Sequence, residues 1–174
     1  MNTKEYIDSL KIGDIPWDRM VTAYGTAKKY PEYLAVLENM KNINKMQKAF
    51  DRISDFEHQS TMFPPAPFAL VFIVRIYKKA KQTNTPEAEW IIDKFNEDFK
   101  YYLEICDDAD SMEHAEPLSH FSDMLNEKYL LPKNFTEDDL DEFFENPDSM
   151  PDDYFYSLYY YSSIILKNYD KKIQ

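Results

Sequence analysis

The sequence predicts an all-α fold of six to eight helices in antiparallel pairs, within one domain over residues 1–174. Only two of the 174 residues are glycine, Gly13 and Gly25, so few positions suit the positive φ angles that hairpin turns and phosphate-binding loops require. Prolines stand instead where helices would begin, as at Pro31 and Pro86. Apolar residues recur at helical spacing. These observations argue against Rossmann, P-loop and all-β folds.

The first half of the chain contains three predicted helical segments. Tyr30-Pro31 begins one helix, and a second apolar stripe covers residues 43–53, so two helices joined near Asn42 are expected. The strongly apolar stretch 68–74 is too short to span a bilayer, which takes about 20 residues. We therefore expect it to begin a helix that is buried on most sides.

The second half begins with the clearest amphipathic pattern. Thr85-Pro86 starts a long helix whose apolar stripe ends at Cys106, and the Asp-rich residues 107–111 are predicted to form a solvated loop. Three further helices are expected: one from Pro117 that carries apolar residues to Tyr129, a short one after a capping box at Thr136, and a last one from Pro151 to about Lys167.

Charge divides the chain into a weakly basic N-terminal part, residues 1–80, and an acidic C-terminal part, residues 81–174. The first part holds 12 Lys and Arg against 9 Asp and Glu, and the second holds 8 against 23. Between Glu104 and Asp153 there are 17 acidic residues, opposed by Lys128 and Lys133 alone. Nucleic acid is an unfavourable ligand for such a chain, because its binding depends on Lys and Arg that neutralise phosphates.

The single cysteine, Cys106, cannot form an internal disulfide, and the first residues lack the apolar stretch of a signal peptide. We therefore expect a cytoplasmic location and no membrane association. Cys106 lies on an apolar helical stripe, which favours a buried core residue over a nucleophile.

Several segments of the first 80 residues resemble a bacterial group of HEAT-repeat-like proteins. The resemblance implies stacked antiparallel helix pairs that form a scaffold for protein contacts, and it brings no catalytic residue with it. Ser60 is a departure, since the group usually has Gly there. The segments are Ile15-Pro16-Trp17, Thr22-Ala23-Tyr24-Gly25, Tyr30-Pro31, His58-Gln59-Ser60-Thr61-Met62-Phe63 and Pro67-Phe68.

The segment from His58 to Pro67 has two interpretations. In the first, it forms a polar clasp: His58 donates to the last carbonyls of the preceding helix, and Gln59 or Thr61 caps the next helix. In the second, His58, Gln59 and Thr61 form a binding or catalytic site. The first is favoured, because buried helix ends need hydrogen-bond partners in any protein.

No metal or cofactor is predicted. His114 and His120 are six residues apart, which does not place two ligands on one helical face. Asp108 and Asp110 begin like a calcium loop, but position 6 of that loop would be Glu113 instead of Gly. With no activated nucleophile or marked acid–base pair either, the sequence predicts a protein that is not an enzyme.

The last predicted helix is aromatic on nearly every face, whereas a helix packed on one side needs only a stripe. Either neighbouring helices bury it, or some of its tyrosines bind a protein. The candidate binding residues are acidic side chains of the short helix and tyrosines of the last one: Glu137, Asp138, Asp139, Asp141, Glu142, Tyr154, Tyr156, Tyr159 and Tyr160.

Three functions remain open. The favoured one is a non-catalytic module that presents its acidic, aromatic-containing half to a basic protein partner, and an immunity protein against a secreted toxin is a specific version of it. The second is a generic HEAT-like scaffold or homodimer in which the acidity only provides solubility. The third is a small enzyme that uses His58 or surface carboxylates.

Overall fold

A computed structural model describes residues 1–168, so the last six residues of the predicted domain lie outside the described part. Residues 1–168 form seven α-helices and two small antiparallel sheets of two strands each. The mostly helical class is confirmed. The helices are α1 (Thr3–Ser9), α2 (Tyr30–Asn39), α3 (Ile43–Ile53), α4 (Ala66–Ala80), α5 (Pro86–Ser111), α6 (Glu137–Glu145) and α7 (Asp152–Leu166), and the strands are β1 (Val21–Thr22), β2 (Gly25–Thr26), β3 (Glu57–His58) and β4 (Thr61–Met62).

Several helix starts follow from local side-chain chemistry, as the sequence predicts. Thr85 is the N-cap of α5, and its side chain accepts a hydrogen bond from the Ala88 N–H at 3.2 Å. Thr136 and Asp139 form a reciprocal capping box at the start of α6. Asn42 caps α3, because its side chain accepts a hydrogen bond from the Lys45 N–H at 2.9 Å. These caps satisfy N–H groups that have no partner inside the helix.

The predicted loop at residues 107–111 is wrong, because α5 continues to Ser111. The apolar stripe does not end at Cys106, since Ala109 also packs against the core. Asp is a poor helix former by intrinsic propensity, but tertiary packing overrides such preferences. The helix is therefore 26 residues long, and Asp107, Asp108 and Asp110 in its last turns are exposed.

The α-helix predicted from Pro117 to Tyr129 is also wrong. This segment contains two 3₁₀ turns, Phe121–Leu125 and Glu127–Tyr129. Phe121 and Met124 are both buried, and their spacing of three residues matches the 3₁₀ period. Pro16, which also has the sequence context of a helix start, precedes a 3₁₀ turn, Trp17–Arg19, and no α-helix.

The expectation that scarce glycine disfavours hairpin turns is wrong, because residues 1–168 contain two hairpins. Hairpin 1 consists of β1 and β2, and hairpin 2 consists of β3 and β4. In the turn of hairpin 2, Gln59 has φ of 49° and Ser60 has φ of 66°. Left-handed backbone costs a non-glycine residue about 1–2 kcal/mol. The Glu57 carboxylate offsets part of that cost, because it accepts a hydrogen bond from the Ser60 N–H at 2.8 Å.

Helix α4 is the centre of the core. All its residues are buried except Arg75, Lys78 and Lys79, which agrees with the predicted burial on most sides. It packs against α2, α5 and α7, and α7 also packs against α5. No helix among residues 1–168 has the length and apolar character needed to cross a bilayer.

Neighbouring segments bury most of the aromatic residues of α7. Tyr154 is completely buried and stacks on Tyr129 with ring centroids 4.1 Å apart.

Cys106, on the neighbouring α5, is buried as predicted, and burial raises the pKa of its thiol to about 12. A thiol with such a pKa is protonated at neutral pH, which is the state of a core residue and not of a nucleophile.

Candidate functional sites

Two concavities lie along successive parts of α5, and hairpin 2 contributes to both. The first, which we call the hairpin cleft, has a volume of about 640 Å³ and is lined by α5 residues from Lys94 to Tyr102 together with Glu57 and His58. The second, which we call the acidic groove, has a volume of about 970 Å³. It is lined by the C-terminal end of α5, by residues 112–115, by the start of α7 and by Ser60.

Asp55 organises the hairpin cleft. Its carboxylate accepts hydrogen bonds from the Thr22 hydroxyl at 2.8 Å and from the Tyr30 hydroxyl at 2.5 Å. Its backbone carbonyl accepts a third from the Ala23 N–H at 3.0 Å. Burial raises the pKa of Asp55 even though both hydroxyl contacts lower it. Asp55 thus ties hairpin 1 to the segment that follows α3.

The structure does not place His58 in the predicted clasp. A 3₁₀ turn, Ser54–Phe56, separates it from α3, and no side chain caps α4, whose N-cap is Pro65. His58 is exposed instead, and its Nδ1 lies 3.2 Å from the hydroxyl of Tyr24. The clasp interpretation assumed that one helix follows the other directly, whereas hairpin 2 lies between them.

The alternative polar site, His58 with Gln59 and Thr61, corresponds to the tip of hairpin 2. His58 pairs with Thr61 across the two strands, and Gln59 lies in the turn. These residues are therefore close together, as that alternative requires. Whether they bind a ligand or act in catalysis stays a prediction.

The hairpin cleft contains charged groups of both signs. Lys94 lies 3.3 Å from Asp98, and burial raises the pKa of that carboxyl. Lys29 and Arg52 also line the cleft, and neither forms an ion pair within residues 1–168. The cleft can therefore hydrogen-bond a polar ligand, but its charges do not favour one sign of ligand charge.

The acidic groove has a more uniform lining. Ile105, Ala109 and Phe155 give it an apolar surface, and the side chain of Met112 at its edge is 64% exposed. Its charged lining residues in the described part of the chain are Asp108, Glu113 and Asp152, with no Lys or Arg among them. This combination suits an apolar group that is accompanied by positive charge.

One wall of the acidic groove is held by an aromatic stack. The ring of His114 lies 3.6 Å from that of Tyr156, at an angle of 10°. The Tyr156 hydroxyl donates a hydrogen bond to Asp110 at 2.6 Å, and His114 Nε2 lies 3.8 Å from the same carboxylate. Residues 1–168 contain no group of three or more His, Cys, Asp or Glu side chains that could hold a metal ion. His114 and His120 therefore belong to no such group.

The predicted acidic residues all lie on α6, a helix without a buried residue. Asp139 is engaged in the capping box, and within the described residues none of the five forms an ion pair. Phe144, beside them, is 49% exposed. The carboxylates named from the sequence are Glu137, Asp138, Asp139, Asp141 and Glu142.

The four candidate tyrosines do not form one exposed face. Tyr154 belongs to the core, so as an exposed anchor it is a wrong choice. Tyr156 and Tyr159 are largely buried, yet each contributes to the lining of the acidic groove. Tyr160, at 39% exposed, is the one that faces solvent. Identical residue types on one helix differ in exposure because α4 and α5 cover different sides of it.

The acidic groove is not predicted from the sequence. Tyr156 and Tyr159 are named from the sequence, but Asp108 and Met112 are not, because residues 107–111 are expected to form a solvated loop. Asp152 is predicted only as part of the start of the last helix. Had α5 been extended to Ser111, helical spacing would have placed Ile105, Asp108 and Ala109 on adjacent positions of one surface.

Comparison with known proteins gives no match for this chain among protein-family models, curated proteins or solved structures.

Proposed function

We propose that this protein is a non-catalytic binding module whose acidic C-terminal half docks a basic protein partner. One observation supports the proposal most strongly: most carboxylates between Glu104 and Asp153 have no basic side chain beside them. Of the 17 acidic residues between Glu104 and Asp153, three lie within 4.0 Å of a Lys, Arg or His side chain in the described part of the chain. They are Asp107 with Lys167, Asp110 with His114, and Glu127 with Arg19.

Such an arrangement carries an electrostatic cost that a partner would reduce. Unpaired like charges repel one another and weaken the compact state, and solubility alone needs fewer of them. A basic partner would relieve this repulsion on binding, and long-range attraction would speed its approach. The apolar and aromatic surface in the acidic groove and at Phe144 would then contribute to the lifetime of the complex.

The experiment that tests this function measures binding kinetics with a partner captured from the source cells at low salt. The test variant reverses three exposed charges of α6: Asp138→Lys, Asp141→Lys and Glu142→Lys. The matched control makes the same change in net charge in the weakly basic N-terminal part, with Asp18→Lys, Glu32→Lys and Asp51→Lys, whose side chains are also exposed. We expect the α6 variant to lower the association rate at least about tenfold more than the control. Equal effects would contradict the proposed function.

A specific version of this function is that of a cytoplasmic immunity protein whose partner is a basic secreted toxin. A toxin would be recognised by its activity: adding the wild-type chain would inhibit it, and the α6 variant would require a higher concentration. A captured partner without toxic activity would exclude this version and leave the more general function in place.

We further propose a HEAT-like arrangement, with α2–α3 and α4–α5 as two stacked helix pairs. The contacts between α2 and α3, between α2 and α4, and between α4 and α5 support it. In the second function, the same helices would form a generic scaffold or a homodimer without a charged partner. Sedimentation tests the homodimer, which requires self-association of the purified chain, whereas the binding module does not.

A further inference from the structure

We propose that the acidic groove is the docking site for an extended basic segment of the partner, with one apolar side chain inserted between α5 and α7. Lys or Arg residues on either side of that anchor would pair with Asp108, Glu113 and Asp152. The inference rests on the proposed function and names the place where the partner's anchor binds.

The shape of the groove supports an inserted side chain. Its volume of about 970 Å³ lies at the upper end of the range of about 300–1,000 Å³ that is typical of ligand pockets. Ile105, Ala109 and Phe155 supply apolar surface, and the flexible thioether of Met112 can adapt to an aliphatic or aromatic group. The stack of His114 on Tyr156 forms one wall of the groove.

The electrostatics at the end of α5 support positive charge beside that side chain. A helix carries partial negative charge at its C-terminus, where basic residues are stabilising. Helix α5 has none in its last turn and instead ends with Asp107, Asp108 and Asp110. Lys167 offsets part of this charge, at 3.6 Å from Asp107. The remaining field favours a ligand that brings Lys or Arg to Asp108 and to the helix end.

The same charges disfavour other macromolecules. Nucleic acid and anionic lipid both present phosphate, which Asp108, Glu113 and Asp152 would repel. A second copy of this chain is the other occupant that would bring positive charge to the groove, because α3 exposes Lys45, Lys48 and Arg52. The experiment must therefore separate a basic partner from self-association.

The probe is a synthetic ten-residue peptide with one central Leu flanked by Lys and Arg. Two control peptides replace the Leu with Ala, or every Lys and Arg with Glu. Binding is followed in the full chain by NMR of labelled methionine methyl groups, which reports on Met112 directly. We expect the Leu peptide to shift the Met112 signal and to bind about tenfold more tightly than the Ala peptide, because burying a Leu side chain contributes more than a factor of ten. The Glu peptide should not bind.

A blocking variant tests the location without changing charge. Ala115→Trp places a large ring in the groove, and Ala35→Trp adds the same ring at an exposed position of α2. We expect the first to weaken binding of the Leu peptide at least about tenfold and the second to leave it unchanged. Circular dichroism confirms that both variants remain folded.

Three results would overturn the inference. Equal binding of the Leu and Ala peptides would show that no apolar side chain is inserted. Equal binding of the Leu peptide to both tryptophan variants would place the peptide outside the groove. In that case the proposed function would stand without this site if the triple reversal on α6 still slowed association of the captured partner. Self-association that Ala115→Trp abolishes would identify the occupant as a second copy of the chain.

Discussion

The hydroxyl of Tyr159 on α7 donates a hydrogen bond to the backbone carbonyl of Ser60, at 3.0 Å, and so joins residues 99 positions apart in the chain. The same hydroxyl accepts a hydrogen bond from the Met62 N–H at 3.2 Å. Both partners belong to hairpin 2. The last helix therefore holds hairpin 2, which contributes Glu57 and His58 to the hairpin cleft and Ser60 to the acidic groove.

Replacement of this phenol tests how much the contact stabilises the fold. Tyr159→Phe leaves a buried N–H and a carbonyl without their partner, so we expect the free energy of unfolding to fall by about 1–3 kcal/mol. Tyr160→Phe is the matched control, because the Tyr160 side chain is 39% exposed, and its effect should stay within about 0.5 kcal/mol. Urea denaturation measures both. Equal losses would show that the hydroxyl of Tyr159 does not stabilise hairpin 2.

The raised pKa of Asp55 predicts a pH-dependent stability. Because burial raises this pKa above its ordinary value of 3.8, the folded protein binds the proton more tightly than the unfolded chain does. The contribution of Asp55 to stability is therefore greatest below that value and is lost as pH rises through the raised pKa. Asp55→Asn removes the titration and keeps an oxygen acceptor for Thr22 or Tyr30.

Unfolding of the wild type and of Asp55→Asn, followed from below pH 3.8 to about pH 7, tests this sign. We expect the stability of the variant relative to the wild type to increase with pH. Asp98, whose pKa is also raised, is present in both proteins and cancels in the difference. A difference that does not change with pH, or that changes in the opposite direction, would contradict the assignment.

Arg19 joins the N-terminal part to the segment after α5. Its buried Nε donates to the Leu131 carbonyl at 2.7 Å, and both terminal nitrogens contact the carboxylate of Glu127. We expect Arg19→Lys to destabilise the fold more than Glu127→Gln does, because Lys cannot reproduce the fork of donors whereas Glu127 is 70% exposed. Thermal denaturation measures the loss of stability in each variant. A greater loss in Glu127→Gln would mean that the ion pair stabilises the fold more than the hydrogen bond to Leu131 does.

His58→Ala should have little effect on stability. Its imidazole is exposed and its contact with the Tyr24 hydroxyl lies at the surface, so we expect a change within about 0.5 kcal/mol. The clasp interpretation predicts instead a loss of about 1–3 kcal/mol. Urea denaturation distinguishes the two values. If the variant is stable but loses binding of the partner, the tip of hairpin 2 belongs to the binding surface.

Features set by neighbouring residues could be predicted from the sequence. Thr85 and Thr136 mark helix starts, because a capping bond needs only residues within one helical turn. Burial of Cys106 followed from its place on an apolar stripe. In both caps the side chain and its partner are three positions apart.

Features stabilised by distant residues could not be predicted in this way. The left-handed turn at Gln59 and Ser60 contains no glycine, and its support includes Tyr159, from another part of the chain. The extension of α5 to Ser111 depends on tertiary packing of Ala109. The acidic groove depends on both features, which is why the groove could not be predicted even though Tyr156 and Tyr159 of its lining were named.

The most direct test of the central claim is the association rate of the captured basic partner as a function of salt concentration. Attraction between exposed charges is screened as the Debye length shrinks from about 10 Å at 0.1 M to about 3 Å at 1 M. If the acidic half steers binding, the association rate of the wild type falls at least about tenfold over this range, and the reversal of Asp138, Asp141 and Glu142 flattens the dependence. An association rate that does not change with salt, in the wild type and in the α6 variant alike, would contradict the claim.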